Sequence, residues 1–283
     1  MYDARQDGIL PWRWPVIVSR KNWFMAAALV IAVAALVAGA RLARAQNRAA
    51  ASPIDELKAK VAQATRMLAR EGIIAASGHV SARIPGTDRV LIGPGYVTRD
   101  ILTADDVLTV DLNSKKIEGR TREPLETEIH TGIYRARPDV MAVVHSHPVH
   151  SVVFSITKKP ILPVTVHGAI FADGVPTFDV VGHVNTRELG DGLAKVLGRH
   201  RAALLKMHGA VIVGASVEEA FAASLQLEEN AEKQLWAEAT GKVEAMTAEE
   251  AARSVRQSFG SSSIEKRWQY YSDIEKLPAA PSR

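Results

Sequence analysis

The chain contains no cysteine. That excludes a disulfide framework, thiolate chemistry and any zinc site built on sulfur. It also has little charge of one sign once the sequence is divided. Residues 1–45 hold six bases (Arg5, Arg13, Arg20, Lys21, Arg41 and Arg44) against Asp3 and Asp7, which accounts for the whole formal charge of +4. The rest of the chain is neutral and has no net positive field to recruit phosphates, so nucleic acid is not an expected partner. No internal repeat is present. Gly93-Pro94-Gly95-Tyr96 is glycine-rich, but it lacks the Lys-Ser/Thr ending that lets a nucleotide-binding loop cradle phosphate.

There is one long apolar run, Trp23 to Ala40. It follows Arg13, Arg20 and Lys21 and precedes Ala43-Arg44-Ala45, an A-x-A pattern of the kind signal peptidase accepts. Residues 1–45 therefore read as an export signal cleaved before Gln46. At about 18 residues the run is also long enough to span a bilayer as an uncleaved anchor. In either case the globular part is expected outside the cytoplasm, in the periplasm or tethered to the inner membrane through residues 23–40.

The whole chain, 283 residues with 47% apolar and 23% charged residues, suits one globular domain plus extra material. A short linker at 46–53 leads to the main domain at 54–240, and residues 241–283 form a polar, helical tail carrying Trp268, Tyr270 and Tyr271. Ile54 to Arg70 has apolar residues near a 3.6-residue period and reads as a helix that Gly72 ends. Ser77 to Arg83 and Arg89 to Ile92 read as strands joined by a turn at Pro85-Gly86-Thr87-Asp88, with another strand at Val107 to Leu112. Pro124 suits the first turn of a helix running to about Arg137. Further strands are expected at Val140–Val144, Ser151–Ile156, Ile161–Val166, Thr177–Val181, Ala202–Met207 and Ala210–Val213. Helices are expected from Asn185-Thr186 to Leu197 and from a capping box at Ser216-Val-Glu-Glu219 through Thr240. Strands in the middle with helices around them predict an α/β layered domain with a largely antiparallel sheet.

The chemistry centres on His145-Ser146-His147. Alternate strand residues share a face, so His145 and His147 project together, half of a site for a borderline divalent metal that needs about three protein nitrogens and an open position. On the preceding helix Glu126 and His130 are four apart and share a face. Farther on, His208-Gly209 follows an apolar run.

Pro124-x-Glu126-x-x-x-His130, then His145-x-His147, then His208-Gly209, with Tyr134-Arg-Ala-Arg-Pro138 in register, resembles the class II aldolase/adducin family over about residues 54–240. The resemblance implies a three-layer αβα fold and a homotetramer with active sites between subunits. It makes His145, His147 and His208 the zinc ligands and Glu126 the acid/base beside the metal. Manganese, cobalt or iron would suit the same imidazoles. Three neutral imidazoles leave such an ion charged and open, able to stabilise an enolate formed when a carbon–carbon bond beside a carbonyl breaks.

Sugar-phosphate members of the family typically carry Gly-Asn where this chain has Gly78-His79, and Ser-Ser where it has Pro124-Leu125. The Gly-His-Val-Ser form and the closing Ile264-Glu-Lys-Arg-Trp-x-Tyr-Tyr271 look similar to the branch that decarboxylates hydroxy-carboxy-muconic semialdehydes and dihydroxyphthalate. The resemblance thus implies a metal-dependent lyase acting on a small carboxylated substrate. An aldolase or epimerase acting on a hydroxy-carbonyl compound or sugar phosphate is the alternative, and a non-catalytic adducin-like assembly module is a third. His79 is a candidate for a substrate carboxylate or for proton transfer, against a structural histidine at a strand start. Arg83 is a candidate carboxylate fork, against a strand-edge salt bridge. Tyr270 and Tyr271 would reach a neighbouring subunit's site or simply pack. His150 and His167 fall near the site as supporting or core histidines, while His183 and His200 carry no assignment. N-terminal sequencing of the exported protein is expected to begin at Gln46. An intact Met1 on soluble cytoplasmic material would exclude export.

Overall fold

The computed structural model describes residues 52–277. The signal or anchor expected at 1–45 and most of the expected linker lie outside the described residues. No helix among the described residues is long and apolar enough to cross a membrane.

Helix α1 (Pro53–Arg70) starts where Ser52 Oγ accepts the Asp55 N–H, with Pro53 at its first turn, Asp55 and Glu56 near its positive end and Arg70 near its negative end. Strands β1 (His79–Arg83), β2 (Arg89–Ile92), β3 (Leu108–Asp111) and β4 (Lys116–Glu118) follow. Helix α2 (Thr127–Ala136) leads to strand β5 (Ala142–Ser146) and helix α3 (Val149–Thr157). Then come β6 (Thr177–Phe178), α4 (Arg187–Leu197), β7 (Ala202–Leu205), β8 (Gly209–Gly214) and α5 (Val217–Thr240), with α6 (Ala248–Ser258) and α7 (Ser261–Glu275) forming the tail.

One eight-stranded sheet runs in the order β4-β3-β2-β1-β5-β8-β7-β6. Every pairing is antiparallel except β6 with β7, which is parallel and makes the sheet mixed. Alternation along the strands divides the core. Val80, Ala82, Val144, Leu204 and Ile212 face α1 and α5, with Val61, Leu68 and Phe221 among their partners. Val90, Val110, Val143, Ala203 and Val211 face α2 and α4 with Ile129, Ile133, Leu193 and Leu197. Burying both faces of a sheet under helices is the stable solution for strands this apolar.

Five expectations need correction. Ser151–Ile156 lies within helix α3, although its Val-Val-Phe-Ser-Ile run favours a strand. Glu228 explains the reversal: its carboxylate accepts the backbone N–H groups of His150 (2.7 Å) and Ser151 (2.9 Å), satisfying the first turn of a helix capped by Pro148. Ile161–Val166 pairs with no strand. Side chains of α5 stand in for a ladder instead: Gln234 accepts the Leu162 N–H, and Asn230 accepts those of Val164 and Thr165 while donating to the Leu162 carbonyl. The strand expected at Thr177–Val181 shrinks to Thr177–Phe178. Helix α2 begins at Thr127, because the Thr127 hydroxyl and N–H both turn back to the Pro124 carbonyl and leave Glu126 as a non-helical cap. At α5 only half of the expected capping box forms. Ser216 Oγ accepts the Glu219 N–H, but the Glu219 carboxylate pairs with Arg201.

The tail folds back on the domain. Trp268 and Tyr271 meet Phe221 of α5 edge-on, and Gln63 and Arg66 of α1 bond Glu275 of α7. On the opposite face α2 crosses α4 at touching glycines: a Cβ on Gly132 would stand 2.6 Å from the carbonyl carbon of Gly190. Gly132→Ala is therefore expected to splay the two helices and cost about 1–3 kcal/mol in a urea titration.

Candidate metal-binding active site

The site assembles where the central strand ends. His145 is the fourth residue of β5, paired in register with His79 of β1 on one side and Val211 of β8 on the other. Its Nδ1 lies 3.2 Å from the Ala210 carbonyl oxygen. A carbonyl only accepts, so Nδ1 carries the hydrogen and Nε2 keeps its lone pair. That Nε2 is buried and has no hydrogen-bond partner. His147 follows just past the strand end, with its backbone N–H bonded to the Ile73 carbonyl at 3.2 Å. His208 stands in the β7–β8 turn. This turn closes tightly because Gly209 has no side chain: a Cβ there would meet the Ser146 carbonyl oxygen at 2.4 Å.

Together the three imidazoles form one cluster. One ring nitrogen from each of His145, His147 and His208 falls within 4.8 Å of the others. Glu126 completes it from the cap of α2. Its Oε1 accepts the Val184 N–H at 2.9 Å, and its Oε2 faces His145 Nε2 at 3.3 Å and His208 Nε2 at 3.5 Å. His183, to which the sequence reading gave no role, brings Nδ1 within 3.5 Å of the same oxygen, so Glu126, His183 and His208 form a second, overlapping triad. Nothing in Val181-Gly182-His183-Val184 announces this locally. Only the chain crossing from β6 to α4 brings it over the cap.

The electrostatics suit a divalent cation. Burial would raise the Glu126 carboxyl, but the facing His145 ring whenever its Nε2 carries a proton, the Val184 N–H and His208 hold it down at about 2. Burial followed by the neighbouring His145 lowers His147 to about 4 and lowers His208 as well. At neutral pH these two rings are uncharged and present lone pairs, as metal ligands must. The orphaned Nε2 of His145, two neutral imidazoles and an ionised carboxylate are the donor set such an ion requires, so the residues present fit the metal.

Other candidates fall elsewhere. His79 is buried beside His145, with ring centroids 5.4 Å apart, and starts a polar chain into the interior. Its Nδ1 lies 3.3 Å from His130 Nε2, His130 Nδ1 lies 2.7 Å from Ser81 Oγ, and Ser81 Oγ lies 2.9 Å from the Tyr134 hydroxyl. His79, Ser81 and Arg83 alternate on one face of β1 beneath the Glu126-His130-Tyr134 stripe of α2. Burial first, then the adjacent His145, holds His130 down at about 3, so this chain is neutral. Arg83 does not reach the site. It lies about 13 Å along the strand from His79, donates to the carbonyls of Tyr134 and Val140, and covers the Tyr134 ring. The carboxylate-fork expectation for Arg83 is thereby corrected. Tyr271 packs between Phe221 and Tyr270 and lines a cavity of about 430 Å³ with His167, Lys266 and Arg267, to which no residue of the metal cluster contributes. His150 tethers α3 to Glu228 at 2.8 Å, and His167 pairs with Glu229. His200 lies at the start of β7, away from the cluster.

His147→Ala and His208→Ala are each expected to weaken divalent-metal binding about 100-fold or more, read by metal analysis after dialysis. His150→Ala should keep its metal and lose thermal stability.

Comparison with known proteins agrees with this geometry. Residues 59–235 match the Class II Aldolase and Adducin N-terminal domain. Decarboxylase NovR of Streptomyces niveus is 37% identical over 159 residues, covering 55% of this chain and 59% of that protein. The chain thus spans less than two thirds of that relative's length. The 3,4-dihydroxyphthalate decarboxylase of Arthrobacter keyseri is 32% identical over 60% of this chain and 74% of its own. An L-fuculose phosphate aldolase of Escherichia coli O6:H1 is 34% identical over 51% and 66%. Among solved structures, an aldolase II superfamily protein from Pseudomonas syringae superposes with a TM-score of 0.71 at 25% identity, covering 82% of this chain and 96% of its own. With the helix-flanked mixed sheet, the His/Glu cluster and a family match over most of the described residues, the chain belongs to the class II aldolase and adducin N-terminal domain family.

Proposed function

We propose that the protein is a divalent-metal-dependent carbon–carbon lyase and that it decarboxylates a small hydroxy-carboxy acid of the muconate or phthalate type. The observation that carries the choice is what surrounds Glu126 and His145. Pro124 and Leu125 precede the carboxylate, and the buried imidazole of His79 stands beside His145. Neither proline nor leucine brings a side-chain donor for a phosphate. The resemblance to two decarboxylases points the same way.

A divalent ion bound to His145, His147 and His208, zinc in this reading, would act as a Lewis acid for negative charge developing on a substrate oxygen. The protein's own groups do the rest. Glu126, ionised and anchored by the Val184 N–H, offers Oε2 as the base that takes a proton from the substrate hydroxyl. As the bond to the departing carboxylate carbon breaks, its electron pair stays with the substrate. Oε2 then returns the proton to the carbon that lost carbon dioxide. His183, 3.5 Å from the same oxygen, is placed to hold Glu126 in that position. As part of the same reading, the domain works as a homotetramer outside the cytoplasm, delivered by residues 1–45.

Cleavage of a hydroxy-carbonyl or sugar phosphate is the second reading, favoured by the 34% identity to the fuculose phosphate aldolase. Carbon dioxide release from hydroxy-carboxy aromatic acids, measured beside carbonyl formation from sugar phosphates, separates the two. The expected result is carbon dioxide release, and robust turnover of a sugar phosphate alone would overturn the decarboxylase assignment. Glu126→Gln should retain its metal and lose about 10²–10⁴-fold in kcat. Full activity in that variant would remove Glu126 from the chemistry.

A further inference from the structure

Arg99 is the one lysine or arginine among the described residues that is buried, with 4% of its surface exposed. Several partly buried cations have acids beside them, such as Arg66 with Glu275, Arg135 with Glu128 and Arg201 with Glu219, while the less deeply buried Arg83 has carbonyls and the Tyr134 ring. No carboxylate among the described residues pairs with Arg99. Its contacts are backbone carbonyls: Nε donates to Gly78 at 3.0 Å, Nη1 to Val97, and Nη2 to Gly95 at a long 3.4 Å. A guanidinium has five N–H donors and keeps its charge inside proteins, so these bonds leave donors and a whole positive charge unanswered. Burial lowers its pKa, the mark of a charge taken from water. An isolated buried charge is costly unless an opposite charge meets it.

That charge borders an open cavity of about 660 Å³, lined among others by Ile74, Ala76, Gly95, Tyr96 and Thr98. No residue of the metal cluster lines this cavity, but backbone contacts connect its wall to the cluster. Its Ile74–Ala76 wall continues from Ile73, whose carbonyl holds the His147 N–H, and into Gly78, where a Cβ would lie 2.9 Å from the His145 carbonyl oxygen. The carbonyl that Arg99 Nε holds belongs to the residue before His79, the register partner of His145. Arg99 is close enough for its charge to act on the His79 ring, which stands 5.4 Å from that of His145, so a substrate extending past His79 would approach Arg99.

We propose that Arg99 is the anion-binding residue of a subsite next to the metal cluster, and that it takes a substrate carboxylate other than the one lost. This rests on the decarboxylase reading and gives its substrate a dicarboxylate character. Phthalate, a dicarboxylate that presents the required group, and inorganic phosphate are the probes, titrated by calorimetry into the full chain with and without its metal. Wild type should bind phthalate in both states and prefer it to phosphate, and Arg99→Met should weaken phthalate about tenfold or more in the metal-free protein, with Arg99→Lys between them. In wild type, phthalate should also slow amide hydrogen exchange over residues 93–102, which decides the matter if Arg99→Met fails to fold. Undiminished phthalate binding by folded Arg99→Met, unchanged exchange over 93–102, or a preference for phosphate would each overturn the proposal. Arg99-dependent phthalate binding without carbon dioxide release from any hydroxy-carboxy acid would leave the subsite standing and sink the decarboxylase reading instead.

Discussion

The register of β5 between β1 and β8 is the constraint from which the site follows. A strand turns alternate side chains to opposite faces, so slipping β5 by one residue would send His145 toward α1 and α5 and put Val144 in its place under α2. The pairing is held on both sides, by Val80 against Val144 and by Val144 against Ile212, all fully buried. The slip would drive the His145 imidazole into the apolar layer and unpack Val80 and Ile212 from Val144, a loss of the order of the roughly 1.5–3 kcal/mol that each such side chain gains on burial. The apolar core therefore specifies where the polar cluster stands.

Helix α2 then lays a stripe of three chemically different groups over β1. Glu126 at its cap meets the metal cluster, His130 one turn on bonds Ser81, and Tyr134 a further turn on closes the chain. The touching glycines 132 and 190 permit α4 to press from behind. Because Glu126 caps the helix instead of lying within it, its backbone is free to aim the carboxylate at both His145 and Val184. Neutral, mutually bonded groups in the interior keep the polar stripe from introducing an unpaired charge beside the His145–His147–His208 cluster.

Much of this was legible in the sequence, for reasons particular to each residue. The period of two around His145 and His147, the four-residue step from Glu126 to His130, and Gly209 after His208 are local signals, and the structure brings these groups to one place. Helix α1 was readable from its 3.6-residue stripe and the Gly72 that follows it. The misses share a different cause. The Ser151–Ile156 run has strand-forming residues, but Glu228, about eighty residues away, caps it as a helix. Ile161–Val166 is extended and yet joins no ladder because Asn230 and Gln234 answer its backbone. His183 and Arg99 carry no local motif. The sequence offered Arg83 as a carboxylate partner and gave Arg99 no role, and only folding shows Arg83 at the far end of β1 and Arg99 beside a cavity.

The closing contacts of the fold join its extremes. Gln63 of α1 bonds Ser272 and Glu275 of α7 across separations of 209 and 212 residues. Loops that long form slowly relative to local helices and hairpins. During synthesis α1 must wait, with one flank uncovered, until nearly the whole domain has left the ribosome, so docking of the last helix acts as the clasp that completes assembly. A chain built this way stays loosely fastened until it is almost fully made.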